Sequence, residues 1–116
     1  MRLILHNFLK SNDPAALGNY PLGLEVNQIQ ELLVDFDIDF LRNIFPKIDY
    51  QVLYQASIII KYDGLPSKIP DDPFNDLQFL KNLHHALLEI DIVEGHLFCY
   101  ETGRKYKIAG SVPNML

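Results

Sequence analysis

The fold is decided by residues 94–116, which read EGHLFCYETGRKYKIAGSVPNML. Three glycines divide this stretch into short apolar and aromatic runs, a pattern typical of a small antiparallel sheet with tight turns. The predicted turns are Glu94-Gly95, Thr102-Gly103 and Ala109-Gly110-Ser111, and the predicted strands are 90–93, 96–100, 105–108 and 112–116. The last strand is apolar, which suits a sheet edge or a docking surface.

The N-terminus indicates one further strand. Residues 2–5 form a short run that is mostly aliphatic, and a polar segment with Pro and Gly follows from Ser11 to Gly18. Such a run before a loop is read as a strand. We expect this strand to pair with the C-terminal hairpins.

The middle of the chain has helical periodicity instead. Apolar residues recur every three or four positions behind Asp37, again after Asp49, and again over residues 77–88, as in amphipathic helices. Asp37 is a predicted N-cap, because its carboxylate can accept hydrogen bonds from the first turn. Pro46 is predicted to end or kink that first helix, because it has no N–H to donate.

Together these elements predict an α+β fold with two lobes in one domain. Residues 1–22 and 89–116, from both chain ends, are assigned to a small antiparallel sheet lobe, and residues 23–88 to an inserted helical lobe. A chain of 116 residues, of which 48% are hydrophobic, can form such a core without covalent cross-links.

Charge and cysteine content restrict the class of function. The net charge of −5 argues against a protein that binds nucleic acid by itself, because neutralising phosphates requires an excess of Lys and Arg. The single cysteine, Cys99, excludes an intramolecular disulfide, and no apolar run reaches the roughly 20 residues that span a bilayer. We expect an intracellular protein without a membrane partner.

The sequence contains no group of residues with the spacing of a catalytic site. His84 and His85 are adjacent in a predicted helix and so point about 100° apart. His84 lies on the apolar stripe and is interpreted as a core histidine rather than a catalytic base. Cys99 lies between Phe98 and Tyr100 and is interpreted as a buried, inert thiol. These features predict a protein that is not an enzyme.

Five segments spread over the chain, together with much of residues 36–50, carry a resemblance to a known protein family. They are RLILHNFL at 2–9, YPL at 20–22, LLEIDIVEG at 87–95, CYETGR at 99–104 and VPNML at 112–116. In these segments the chain resembles the family of small activator subunits that several eukaryotic and archaeal methyltransferases share. Those methyltransferases act on tRNA, rRNA and a translation release factor.

The resemblance implies a function without catalysis. The chain is expected to be an activating and stabilising regulatory subunit, in a heterodimer with a Rossmann-like, class I methyltransferase that itself binds S-adenosylmethionine. Nucleic acid would be reached only through that partner complex, in the cytoplasm and the nucleus. The alternative is a small RNA-binding module of zinc-ribbon descent. Its candidate RNA-facing residues are the basic cluster Arg104, Lys105 and Lys107, together with the flanking Tyr100 and Tyr106.

The resemblance also bears on zinc. Relatives often fold the sheet lobe around zinc, with two cysteines near the N-terminus and a Cys-x-x-Cys in the C-terminal hairpin. Here Ser11, Ala16 and Thr102 stand at vacated ligand positions, and only Cys99 remains. One thiolate cannot make a tetrahedral sulfur site. We therefore expect a degenerate zinc knuckle that is held by packing, with no metal and no cofactor in this chain.

The same resemblance implies docking by sheet extension onto the methyltransferase. The C-terminal strand combines an apolar face with an edge position, and the N-terminal segment is expected beside it. The predicted partner-binding residues are Asn7, Phe8, Ser111, Val112, Pro113, Asn114, Met115 and Leu116.

Overall fold

A computed structural model describes residues 1–9 and 20–115. The α+β class is confirmed by one four-stranded antiparallel sheet with helices beside it. The strands, in sheet order, are β1 (Gly23–Glu31), β2 (Ile90–Phe98), β3 (Lys105–Ala109) and β4 (Val112–Pro113). The helices are α1 (Leu3–Phe8), α2 (Ile38–Ile44), α3 (Tyr50–Ile59) and α4 (Leu77–His84), with a 3-10 turn at Phe45–Lys47 and a π-helical turn at His85–Glu89.

One hydrophobic core joins the two lobes. Leu97, Tyr106 and Ile108 of the sheet belong to the same buried cluster as Leu53 of α3 and Leu83 of α4. The sheet and the helices therefore share one contiguous core. None of the described helices has the length and apolar character needed to cross a membrane.

Three aspartates begin the longer helices. Asp37, Asp49 and Asp76 each accept a hydrogen bond from the backbone N–H three residues ahead, at 3.0, 3.3 and 3.0 Å. Each bond satisfies one of the N–H groups that a helix start leaves without a partner, and such a cap stabilises by about 1 kcal/mol. The predicted cap at Asp37 is confirmed, and Phe45–Lys47 tightens into a 3-10 turn around Pro46.

Two of the predicted turns are confirmed. Gly103 has φ of 72°, and its N–H donates to the Cys99 carbonyl at 2.8 Å at the end of the β2–β3 hairpin. Gly110 and Ser111, at φ of 55° and 69°, form the two-residue turn between β3 and β4. Positive φ at both central residues is what a tight hairpin turn of the right twist requires.

The predicted turn at Glu94-Gly95 is wrong, because β2 runs without interruption through both residues. Gly95 pairs with Val26 beside a register shift in β1. A Cβ atom at Gly95 would lie 2.2 Å from the Glu25 carbonyl oxygen. Gly95 allows the backbones of β1 and β2 to approach closely. Close approach of two backbones is, besides a turn, the second structural reason for a glycine in a strand-like sequence.

The strand predicted for residues 2–5 is also wrong, because Leu3–Phe8 is helix α1. Pairing is limited to the first two residues. The Ile92 N–H donates to the Met1 carbonyl at 2.7 Å, and Arg2 forms an isolated bridge with Asp91. Leu3, His6 and Asn7 are the buried residues of α1, at the spacing of a helix face. An aliphatic run of four residues fits either structure.

Strand β1, and not the N-terminal segment, pairs with the C-terminal hairpins along β2. Residues Gly23–Glu31, which the boundary after residue 22 assigned to the helical lobe, pair along most of β2. The sheet lobe therefore extends to Glu31. From Glu25 onward β1 is mostly exposed, so its sequence lacks the apolar alternation that marks a half-buried strand.

Candidate functional site

The C-terminal edge of the sheet is a short strand that continues as an extended segment. Val112 pairs with Ala109, Pro113 pairs with Ile108, and the Asn114 N–H donates to the Lys107 carbonyl at 2.9 Å. Because backbone direction alternates along a strand, the Pro113 carbonyl points away from β3. Pro113 has no N–H, so at this position the outer edge offers an acceptor and no donor. Within the described residues, no strand pairs with that outer side.

An apolar cleft accompanies this edge. It has a volume of about 550 Å³ and is lined by Lys107, Ala109, Val112, Pro113, Asn114 and Met115. The Val112 side chain is 66% exposed, while Met115 is partly buried and packs against the core. Val112 thus presents apolar surface to solvent, whereas Met115 links the edge to the interior. We call the residues Ser111–Met115 the docking edge.

A buried polar cluster fixes the turn that precedes the docking edge. The Met1 ammonium group donates to Asp91 Oδ1 at 2.7 Å, to the Ile92 carbonyl at 2.6 Å and to the Ser111 carbonyl at 2.7 Å. Asp91 also accepts from Ser111 Oγ and from Gln30 Nε2. We call Met1, Gln30, Asp91 and Ser111 the amino-terminal clamp.

The clamp controls the charge of Asp91. Burial raises the pKa of this carboxyl, but the hydrogen bonds from the Met1 ammonium, Ser111 and Gln30 outweigh burial and hold the pKa below its ordinary value. The ionised carboxylate therefore contributes stability that is fully present above its ordinary pKa and is lost as the pH falls from there through the lowered pKa. Sequence reasoning missed this cluster. Its one signal was an acidic residue inside the apolar run IDIV at 90–93.

Asn7 and Phe8 lie elsewhere. They line a second cleft of about 260 Å³ together with Tyr20, Lys47 and Asp49, which shares none of its described lining residues with the cleft at the docking edge. Asn7 is 3% exposed, and its side chain donates to the Asp49 carbonyl and accepts from the Asp49 N–H, both at 2.9 Å. Phe8 is 47% exposed. Asn7 thus joins α1 to the start of α3, and its contact with a partner stays a prediction, as does that of Phe8.

We expect Asn7→Ala to lower the free energy of unfolding by about 2–3 kcal/mol, because it leaves the Asp49 N–H without its acceptor and the Asp49 carbonyl with only the Leu53 N–H as a donor. Urea denaturation measures this change. Phe8→Ala is the matched control, since Phe8 is its exposed neighbour, and it should cost less than about 1 kcal/mol. Equal stability of the two variants would show that the hydrogen bonds of Asn7 between α1 and the start of α3 do not stabilise the fold.

The basic cluster is partly engaged within the chain. The Arg104 guanidinium lies 5.2 Å from the centre of the Tyr106 ring, and Lys105 Nζ lies 3.9 Å from Glu25. Tyr106 is buried, so its ring is not a platform on which a base could stack. Lys105 and Lys107 face solvent on the same side of β3. An RNA-facing role for these residues stays a prediction.

The histidines and the cysteine have structural environments. His84 is buried and its Nε2 is 2.8 Å from the Val34 carbonyl, which confirms the interpretation as a core histidine. His85 is partly exposed and pairs with Glu89 at 3.0 Å and with Glu31 at 3.3 Å. Cys99 is buried as predicted.

Metal ligands are not assembled in the described part of the chain. Residues 1–9 and 20–115 contain no group of three or more His, Cys, Asp or Glu side chains arranged to hold an ion. Thr102 lies in the β2–β3 turn, where its Oγ1 accepts from the Arg104 N–H at 3.3 Å. Ser11, Ala16 and Leu116 lie outside the described residues.

The chain is similar over its full length to methyltransferase subunits from different organisms. The chain is 43% identical over 118 residues to "Multifunctional methyltransferase subunit TRM112 homolog A" of Arabidopsis thaliana, covering 100% of this chain and 95% of the relative. It is 33% identical over 117 residues to the TRM112-like protein of Mus musculus, covering 100% and 94%. No family model matches the sequence.

A solved structure has the same fold. The Mtq2–Trm112 complex of E. cuniculi, described as responsible for methylation of the eRF1 translation termination factor, contains a chain that matches with a TM-score of 0.62 at 19% identity. The match covers 100% of this chain and 95% of that one.

Proposed function

The chain belongs to the TRM112 family of multifunctional methyltransferase subunits, and from this premise we propose that it is a non-catalytic activating and stabilising subunit of S-adenosylmethionine-dependent methyltransferases. Its partners are Rossmann-like catalytic subunits that modify tRNA, rRNA and a translation release factor. The E. cuniculi complex, whose description names methylation of the eRF1 translation termination factor, supports a release-factor methyltransferase as one of them.

The docking edge is the observation that carries this proposal. It combines a strand side with which none of the described strands pairs, an apolar cleft and the exposed Val112 side chain. A strand of the methyltransferase sheet that pairs along this edge would gain main-chain hydrogen bonds, which depend little on the partner's side chains. One subunit could therefore serve several enzymes. We expect an interface of standard size, about 1,600 Å² in total.

Affinity purification tests the proposal directly. The tagged chain is expressed in cells of its source organism and purified by affinity. Class I methyltransferases should co-purify with it and be identified by mass spectrometry. In calorimetry the isolated chain should not bind S-adenosylmethionine, since its sequence lacks the glycine-rich turn of a βαβ unit. Cofactor binding by the isolated chain, or recovery of no methyltransferase, would contradict the proposal.

The second candidate function is direct RNA binding through Arg104, Lys105 and Lys107. It is favoured by the solvent-facing side of β3, where Lys105 and Lys107 lie together. The exposed Tyr100 side chain also favours it, whereas the net charge of −5 and the burial of Tyr106 disfavour it. Filter binding of RNA to the isolated chain across a salt titration separates the two functions, because phosphate contacts give a steep salt dependence.

We also propose that the chain functions without zinc and that its sheet lobe is a degenerate knuckle. Thr102 is held within the hairpin turn, and the sheet core around Cys99 is packed with apolar side chains. Elemental analysis after dialysis against a chelator should find less than about 0.1 zinc per chain, because one thiolate cannot hold the ion. One zinc per chain would contradict this prediction, and His6, His84, His85 and His96 would then have to be re-examined as ligands.

The cellular location follows from the proposed partners. Since tRNA, rRNA and release factors are modified in the cytoplasm and the nucleus, we propose that the subunit is present in both compartments. Fractionation of cells that express the tagged chain measures this distribution.

A further inference from the structure

We propose that the α-amino group of Met1 is a control site for docking: in a chain that begins at Met1, an acyl group on this nitrogen releases the β3–β4 turn and weakens binding of the methyltransferase. The inference rests on the proposed function for its last step. Its first step, the hold of the amine on the turn, rests only on the amino-terminal clamp.

The ammonium group uses all of its protons inside the fold. It has three N–H donors and three acceptors within 2.7 Å: the Asp91 carboxylate and the carbonyls of Ile92 and Ser111. Met1 is 2% exposed. Buried donors and acceptors that pair one to one in this way are held in a single geometry.

The clamp holds the docking edge at its base. Ser111 is bound through its carbonyl to the amine, through its Oγ to Asp91, and through its N–H to the Val93 carbonyl at 3.1 Å. Ser111 also has φ of 69°, a conformation that is unfavourable for a residue with a side chain. Surrounding contacts must maintain such a conformation, and the amine provides one of them.

Acylation removes most of these contacts. The neutral amine attacks the carbonyl carbon of an acyl thioester such as acetyl-coenzyme A. The new amide C–N bond replaces the C–S bond, the nitrogen loses its proton, and coenzyme A leaves as the thiol. The amide keeps one N–H and no positive charge, so two of the three acceptors lose their donor. The Asp91 carboxylate is then buried without its cation, which is costly.

The timing of the modification follows from burial. Because the nitrogen is enclosed in the folded chain, an acyltransferase can reach it only before the sheet forms. Acylation during synthesis would thus decide whether a given subunit molecule can bind the methyltransferase after it folds.

The experiment compares acetylated and unmodified chains. The acetylated form is produced by co-expression with an Nα-acetyltransferase, and intact mass confirms each form. Acetylation should lower the hydrogen-exchange protection of the Ser111 and Asn114 amides at least tenfold. The Leu53 and Leu80 amides, which donate within helices, serve as internal controls and should change less than twofold. The dissociation constant for a partner methyltransferase should rise at least tenfold.

Equal protection and equal affinity of the two forms would overturn the proposal. If the acetylated chain does not fold, Asp91→Asn in the unmodified chain replaces it, and the same selective loss at Ser111 and Asn114 is expected. Where both variants fold, acetylation of the Asp91→Asn chain should have a smaller further effect than acetylation of the parent chain, because only the bonds from the amine to the Ile92 and Ser111 carbonyls remain to be lost. A full tenfold effect on that background would contradict the role of Asp91. If the unmodified chain binds no methyltransferase, the proposed function fails, and hydrogen exchange still decides whether the amine holds the turn.

Discussion

Val112→Lys is expected to weaken binding of the methyltransferase by about 2–4 kcal/mol while leaving the fold intact. The side chain is 66% exposed in the isolated chain, so a lysine there stays solvated and costs little stability. In the docked state the same position would lie against apolar surface of the partner, and an ammonium group would lose its hydration without a counter-charge.

Binding to a purified catalytic subunit, measured by calorimetry or by interferometry, gives the effect directly. The matched control is Ile58→Lys, because Ile58 is an aliphatic residue of α3 that is 52% exposed and lies in a different part of the fold. The control should bind as the parent chain does. If Val112→Lys binds as tightly as Ile58→Lys, the docking edge is not the contact surface.

The structure decides which residue of this edge is the better test. From the sequence, Met115→Lys is the predicted test, since Met115 is an apolar residue of the terminal strand. In the fold Met115 packs partly against the core, so that Met115→Lys would perturb the interior together with the interface. Val112 reports on docking alone.

Gly95→Ala is expected to lower the free energy of unfolding by about 3 kcal/mol or more. The added methyl group would lie 2.2 Å from the Glu25 carbonyl oxygen. This atom belongs to the backbone of the paired strand, so the clash is relieved only by separating β1 from β2, which exceeds the usual cost of an overpacked core. Urea denaturation followed by circular dichroism measures the loss.

Glu94→Ala is the matched control for this prediction. It changes the preceding residue of β2, whose side chain is partly exposed, and it should cost less than about 1 kcal/mol. Wild-type stability of Gly95→Ala would mean that β1 does not approach β2 closely at this point.

Local chemistry in the sequence predicted the parts of the fold that depend on single residues. Asp37 could be recognised as a helix cap, because a carboxylate before an apolar helical pattern satisfies the first N–H groups. Gly103 and Gly110 could be recognised as turn residues, because glycine tolerates the positive φ that tight turns require. Both residues have positive φ in the structure. In both cases the residue's own conformational or hydrogen-bonding preference decides the structure.

The misplaced elements depend on contacts between distant parts of the chain. Gly95 has the same local signal as a turn glycine, and only the approach of Glu25 distinguishes the two. Strand β1 is recognisable only through its pairing with β2, because its exposed residues carry no periodic apolar pattern. Helix α1 was missed because a short aliphatic run does not specify a period.

The candidate site was predicted in part for the same reason. The docking edge is one contiguous segment, so a sequence pattern could identify it as a unit. The amino-terminal clamp joins Met1 to residues 90 and 110 positions away, a distance that no local pattern spans. Asn7 was predicted as a contact residue, and the structure gives its side chain a buried structural role at Asp49.

The most direct test of the account is a titration of methyl transfer. A purified release-factor glutamine methyltransferase from the same organism is mixed with increasing amounts of this chain, and transfer from S-adenosylmethionine to the release factor is measured. The account predicts little activity without the chain and a rate that rises to a plateau at one equivalent. A rate that is unchanged across the titration, with a catalytic subunit that is active alone, would contradict it.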